Sequence, residues 1–263
     1  MFSSDFILTY PEPMTFELRN LSIGYREGHH QKVIASNLNA TMESGTLICL
    51  VGRNGIGKST LLRTLSGFQP ALDGDMLLDG QSILAYTKRE LSETISVVLT
   101  ERTDIENLTV TDVVGMGRMP YTNFWGTLRK EDKRVVKESI EAVGMTAYSE
   151  RTIARLSDGE RQKVMIAKAI AQQTPLILLD EPTAFLDYPS KTGIVELLLE
   201  LAHKQQKIIF LSTHDLDVAY RLADSIWLMD EKGLSVSVTS EQLLALNFRP
   251  ANNRDTSSDM ENT

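Results

Sequence analysis

Gly52-Arg53-Asn54-Gly55-Ile56-Gly57-Lys58-Ser59 decides the fold, because it fits the pattern G-x-x-x-x-G-K-[ST] and has the right neighbours on both sides. Ahead of it, Thr46 to Val51 is a continuous apolar run that reads as a buried strand. Behind it, Leu61-Leu62-Arg63-Thr64-Leu65 has helical spacing. In a strand, glycine loop and helix in that order, successive backbone N–H groups and the positive helix end converge where phosphates sit. The glycines let the backbone come that close. Gly52, Arg53, Asn54, Gly55, Ile56 and Gly57 are therefore the expected cradle, continued by Lys58, Ser59 and Thr60. Lys58 is placed to reach the β and γ phosphates, and the Ser59 hydroxyl to ligate Mg²⁺.

A triphosphate site that turns over needs carboxylates at the tip of a neighbouring parallel strand. Leu176-Ile177-Leu178-Leu179-Asp180-Glu181 supplies them, followed by Pro182-Thr183. Asp180 is expected as the Mg²⁺ partner, and Glu181 as the group that orients or deprotonates the attacking water.

Farther out, Thr15 to Leu21 and Val33 to Met42 read as strands around a polar turn, and short strands flank Asp73-Gly74 and Asp79-Gly80. Ile95 to Leu99, Leu176 to Leu179 and Lys207 to Leu211 are apolar strand runs. Residues 110 to 117, 129 to 144, 158 to 172, 190 to 206 and 215 to 223 have helical periods. The alternation predicts an α/β core with a mainly parallel sheet, and the helix-rich stretch from about 101 to 170 predicts a subdomain growing out of it. The domain is expected over residues 14–248, with 249–263 as a polar, disordered tail.

Composition narrows the function. The chain of 263 residues has 27 Lys and Arg against 35 Asp and Glu, a net charge of −8, and no basic stripe, which argues against a nucleic-acid partner. Its single cysteine, Cys49, lies in an apolar run and reads as a buried hydrophobe. No Lys or Arg precedes Arg19, so no secretory signal is predicted, and no apolar run approaches the roughly 18 residues of a membrane span. Three of the four histidines, His29, His30 and His203, read as solvated. His214 differs, since it follows an apolar strand and precedes Asp215.

Leu156-Ser157-Asp158-Gly159-Glu160-Arg161-Gln162 resembles the signature motif of ATP-binding cassette (ABC) proteins, usually LSGGQ, in an LSDGE form. Ala184-Phe185-Leu186-Asp187 resembles their D-loop and Ser212-Thr213-His214-Asp215 their switch-histidine motif. Tyr25 sits upstream, where the family stacks an aromatic ring on adenine. The resemblance runs from about residue 14 to 240 and implies an α/β, P-loop NTPase fold with a mainly parallel core sheet, an antiparallel β subdomain and a helical subdomain. It also implies ATP hydrolysis with Mg²⁺, and a head-to-tail homodimer in which Ser157 and Gly159 close on the γ-phosphate held by the opposite subunit. His214 would contact the γ-phosphate from its own subunit, and Asp187 would cross the dimer contact.

The family usually has a Mg²⁺-ligating glutamine at the end of the strand entering the helical subdomain. Here the sequence reads Val97-Val98-Leu99-Thr100-Glu101-Arg102, and either Thr100 or Glu101 takes that place as an oxygen ligand.

Leu108 to Tyr121, with Gly117-Arg118-Met119-Pro120, is similar to a segment of ATPase subunits serving iron-siderophore, haem and cobalamin importers. That resemblance implies integral membrane permease partners, an indirect link to a substrate-binding protein, and a place on the cytoplasmic face of the inner membrane, held there by the permease. Tyr121, Phe124 and Trp125 add aromatic side chains that either face the permease or pack within the subdomain. The alternatives are an ATPase subunit of another ABC transporter, and a soluble ABC ATPase acting as a nucleotide-gated scaffold.

Overall fold

A computed structural model describes residues 13–27, 30–99, 107–123 and 126–238. The central sheet is built on β3 (Leu47–Val51), whose five residues are all buried. Their side chains alternate between two hydrophobic cores: Leu47, Cys49 and Val51 in one, Ile48 and Leu50 in the other. β7 (Leu176–Asp180) and β8 (Ile208–Thr213) divide in the same way, which is why these strands read as unbroken apolar runs rather than alternating ones. With β6 (Ile95–Val98), β9 (Ser225–Asp230) and β10 (Gly233–Ser235) they form a six-stranded sheet in the order β10-β9-β3-β8-β7-β6. Every pairing is parallel except that of β10 with β9.

A second, antiparallel sheet has the order β2-β1-β4-β5, formed by β1 (Thr15–Glu27), β2 (His30–Glu43), β4 (Asp73–Leu78) and β5 (Gln81–Ser82). Phe16, Leu18, Leu21 and Ile23 of β1 share a core with Leu61, Leu62 and Leu65 of α1 (Lys58–Leu65), so the helix behind the glycine loop lies between the two sheets. β1 and β2 run farther than the alternation predicted, into the expected polar turn as far as Glu27 and from His30. Paired main-chain groups, not apolar patterning, extend them.

The helical layer comprises α3 (Val110–Gly115), a 3₁₀ turn at Met116–Tyr121, α4 (Lys130–Ala142) and α5 (Asp158–Ala171). Residue Arg118 ties it together. Its guanidinium donates to Asp132 Oδ1 at 3.0 Å, to the Ala171 carbonyl at 2.8 Å and to Gln173 Oε1 at 2.8 Å, and lies 4.2 Å from the Tyr121 ring centroid. Gly117 has no room for a side chain, since a Cβ would stand 2.3 Å from the Lys168 carbonyl. Tyr121 donates to the Gln172 carbonyl at 2.9 Å and so packs within the subdomain, while Phe124 and Trp125 lie outside the described residues. α2 (Lys88–Thr94), β9 and β10 were not anticipated from the sequence; α6 (Tyr188–Gln205) and α7 (Leu216–Leu222) were. The stretch 249–263 also lies outside the described residues.

Candidate nucleotide site

β3 ends at Val51 and the chain turns through 52–57 before α1 begins at Lys58. Gly57, with φ +116°, occupies a conformation open to glycine, and a Cβ there would meet Ile34 Cγ2 at 2.4 Å. Lys58 is buried and curls back over the loop, its Nζ donating to the carbonyls of Gly52 at 2.8 Å and Arg53 at 3.3 Å. Burial lowers the pKa of this ammonium, and the nearby carboxylates of Glu181 and Asp180 partly oppose that shift. Beside the loop opens a cavity of about 500 Å³ lined by Tyr25, Lys32, Ile34, Asn54, Gly55, Gly57, Lys58, Ser59, Thr60 and Glu181.

The second half of the site stands at the ends of β7 and β8, where Asp180 is paired in register with Ser212. The Ser212 hydroxyl donates to Asp180 Oδ1 at 2.6 Å and accepts the Glu181 N–H at 2.9 Å. Glu181 adopts φ +47°, a left-handed conformation that a non-glycine residue enters only against a steric cost. Its Oε2 lies 3.1 Å from His214 Nδ1. One serine thus fixes both acids, and the turn after β8 brings the histidine onto the second.

Ser59 and Asp180 offer oxygen donors of the kind Mg²⁺ takes. Among the described residues no group of three or more His, Cys, Asp or Glu side chains is arranged to hold a metal unaided. The donor set therefore fits an ion whose shell is completed by phosphate oxygens and water. Thr100 and Glu101 lie outside the described residues.

Ser157, Gly159 and Asp187 do not line this cavity. Ser157 caps α5: its Oγ accepts the Glu160 N–H at 3.2 Å and donates to Glu160 Oε2 at 3.0 Å, while its N–H donates to the same oxygen at 2.8 Å. These bonds hold the Glu160 carboxyl below the usual range, chiefly through the Ser157 N–H, so a formal negative charge sits on that helix end. A Cβ on Gly159 would stand 2.8 Å from the Phe185 carbonyl, so this glycine lets α5 pack on the 183–187 turn. Asp187 caps α6 by accepting the Ser190 N–H at 3.3 Å.

The sequence reading missed Ser212, Lys32 and Ile34 as site residues. Ser212 was visible in the switch-histidine motif but carries no functional signal until the strands are in register. Lys32 and Ile34 reach the cavity only because β2 pairs with β1, Lys32 directly across from Tyr25. Cys49 is buried as expected, its thiol pushed up to about 12 chiefly by desolvation. His203 is more than solvated, since its Nε2 lies 3.0 Å from Asp224, whose Oδ2 also accepts the Leu47 N–H at 2.8 Å.

The family model described as ABC transporter matches residues 35–184. The petrobactin import ATP-binding protein FpuD of Bacillus anthracis is 35% identical over 238 residues, covering 89% of this chain and 86% of its own length. An inward-facing structure of a transporter classed as metal-chelate type superposes with a TM-score of 0.75 at 28% identity, over 90% of each chain. The dimeric bacterial ABC transporter cassette MJ0796 superposes with a TM-score of 0.72 at 26% identity, over 82% of this chain and 95% of that one.

Proposed function

The chain belongs to the ABC transporter family and is an ATP-hydrolysing subunit of it, and we propose that it energises the import of ferric siderophores or related metal chelates. Similarity to FpuD over 89% of this chain carries the substrate class, and the match to a metal-chelate type transporter agrees with it. The working unit in this reading is a head-to-tail homodimer docked on a permease at the cytoplasmic face of the membrane, supplied by a substrate-binding protein.

In the proposed mechanism the loop at 52–57 and the N-terminus of α1 hold the triphosphate, and Lys58 turns from its loop carbonyls to the β and γ phosphates. Ser59 and Asp180 would hold a Mg²⁺ ion, which would supply neutralisation of the charge that develops on the phosphates. Glu181 orients a water for in-line attack and takes its proton, with His214 fixing the carboxylate and contacting the γ-phosphate. Ser157 and Gly159 of one subunit close on the γ-phosphate of the other, and Asp187 crosses between them. Loss of the γ-phosphate removes that bridge and reopens the dimer.

The Glu181→Gln variant tests this reading. It binds ATP, turns it over at least 100-fold more slowly than wild type, and accumulates as a dimer. Captured with ATP and Mg²⁺ from cross-linked native membranes, it brings down a polytopic permease. That permease, reconstituted with the wild-type chain and its binding protein, takes up a ferric siderophore in an ATP-dependent way. Wild-type turnover by the variant overturns the role of Glu181, uptake of a different solute class overturns the substrate, and capture of soluble proteins alone overturns the transport role.

A further inference from the structure

The first turn of α5 carries an acid, Glu160, at an end where a helix otherwise offers bare N–H groups and a positive dipole. The acid serves the helix, since its Oε2 accepts both the N–H and the hydroxyl of Ser157. The same charge repels a phosphate brought up to Ser157.

The structure places an offset on a neighbouring turn. After α4 the chain forms a 3₁₀ turn at Thr146–Tyr148 and runs on to Arg151. The Arg151 guanidinium carbon lies 4.5 Å from the Tyr148 ring centroid, seated on the aromatic face. After the Ser157 N–H, which contributes most, the Tyr148 hydroxyl and the Arg151 guanidinium also hold the Glu160 carboxyl below its usual range, one by a hydrogen bond and the other by its charge. The turn itself is fixed by main-chain groups. Arg151 N–H donates to the Tyr148 carbonyl at 2.8 Å, the Arg151 carbonyl accepts the Val110 N–H at 2.9 Å, and the Ser149 carbonyl accepts both the N–H and the hydroxyl of Thr111 at 3.0 Å. None of these bonds uses the guanidinium, which is exposed and can be replaced without undoing the turn.

We propose that Arg151, seated on Tyr148, is a positioning residue for closure of the nucleotide-bound dimer. It keeps the Glu160 carboxylate turned onto Ser157 and offsets its charge, so that the serine meets the γ-phosphate of the opposite subunit without an uncompensated acid beside it. This rests on the proposed head-to-tail dimer. Arg151 acts through Glu160 and does not itself bind the nucleotide.

The test is a double-mutant cycle in the Glu181→Gln chain, with ATP-dependent dimerisation measured by analytical ultracentrifugation in the presence of Mg²⁺. Arg151→Gln raises the protein concentration for half-dimerisation about three- to tenfold, because two such helix ends are left with an uncompensated charge in each dimer. Added salt shrinks the effect. Arg151→Lys recovers most of it, since the charge is kept. When Glu160→Gln is also present, Arg151→Gln changes the concentration by less than twofold, there being no acid left to offset.

An equal loss in the Glu160 and Gln-substituted backgrounds overturns the inference, because Arg151 then acts on the phosphate directly or on the fold in general. Arg151→Lys as poor as Arg151→Gln overturns it too, as does unchanged dimerisation in Arg151→Gln. Failure of the Glu181→Gln chain to dimerise with ATP overturns the dimer reading and the inference with it, and is recognised because it occurs before Arg151 is altered.

Discussion

Replacing Arg118 by methionine tests whether the segment around Gly117-Arg118-Met119-Pro120 holds the helical layer together. The side chains of Arg118 and Asp132 are 7% and 6% exposed, and their 3.0 Å contact is an ion pair out of reach of solvent. Removing one partner of such a pair leaves the other charge buried and uncompensated, which costs about 3–5 kcal/mol. The Ala171 carbonyl and Gln173 Oε1 each lose a donor as well, so the upper part of that range is expected. For a domain of this size that is roughly a 6–20 °C fall in Tm. Urea unfolding followed by circular dichroism reads the free energy directly. Arg118→Met/Asp132→Leu recovers much of the loss, because the lone charge is gone. Recovery stays incomplete, since Asp132 Oδ2 also accepts the Arg129 N–H at 2.9 Å at the start of α4, a cap worth about 1 kcal/mol. A loss below about 1 kcal/mol in Arg118→Met, or a double variant less stable than the single one by more than the cap, refutes the reasoning.

Lys207 supplies a pH test. Its Nζ is buried and donates to the Thr174 carbonyl, and desolvation lowers its pKa to about 7 against an ordinary 10.5. Between those two values the unfolded chain binds more protons than the folded one, so this residue makes stability rise with pH over roughly pH 7 to 10. Lys207→Met, measured by urea unfolding at pH 7, 8 and 9, loses that increment, and its stability relative to wild type is therefore greatest at pH 7; a pH-independent difference rejects the assignment. Glu160→Gln keeps the capping geometry, which accepts glutamine equally, but removes the negative charge from the end of α5 that the proposed dimer turns toward a γ-phosphate. The ATP-dependent dimer then forms at several-fold lower protein concentration in analytical ultracentrifugation, an effect that shrinks with added salt; unchanged dimerisation places Glu160 away from the phosphate.

The sequence made the central sheet legible because β3, β7 and β8 are buried on both faces. Such strands leave no choice of face, and each apolar run ends where its loop begins chemistry, at Gly52, at Asp180 and at His214. The strands beyond β3 announce themselves less clearly. β9 carries Trp227, Leu228 and Met229 but is flanked by charged residues and followed by a three-residue partner, too short for a periodic signal. α2 buries none of its residues and is set by a capping box between Thr87 and Glu90, which a search for apolar stripes passes over.

The site divides along the same physical line. Residues whose roles follow from backbone and strand ends, such as Gly57, Lys58, Asp180 and Glu181, stand out in the chain because their neighbours in sequence are their neighbours in space. Ser212 and Lys32 do not, since each owes its place to a partner strand: Ser212 opposite Asp180 across β8 and β7, Lys32 opposite Tyr25 across β2 and β1. The Arg118 cluster carries the point furthest. Gly117 and Arg118 mark a segment that suggests, by resemblance, a surface for a membrane partner, yet both face inward, one against the Lys168 carbonyl and the other on Asp132 and Ala171. Their direct job is to fix the 3₁₀ turn Met116–Tyr121 onto the C-terminal end of α5, while the other end of that helix carries Ser157. Met116 and Met119 are the exposed side chains of that turn. The Arg118 and Tyr121 hydrogen bonds join that turn to the last residues of α5, the helix whose first residues Ser157 caps. A single turn thus presents two kinds of side chain, exposed methionines and inward-facing Gly117, Arg118 and Tyr121, and only the inward-facing ones are fixed by packing.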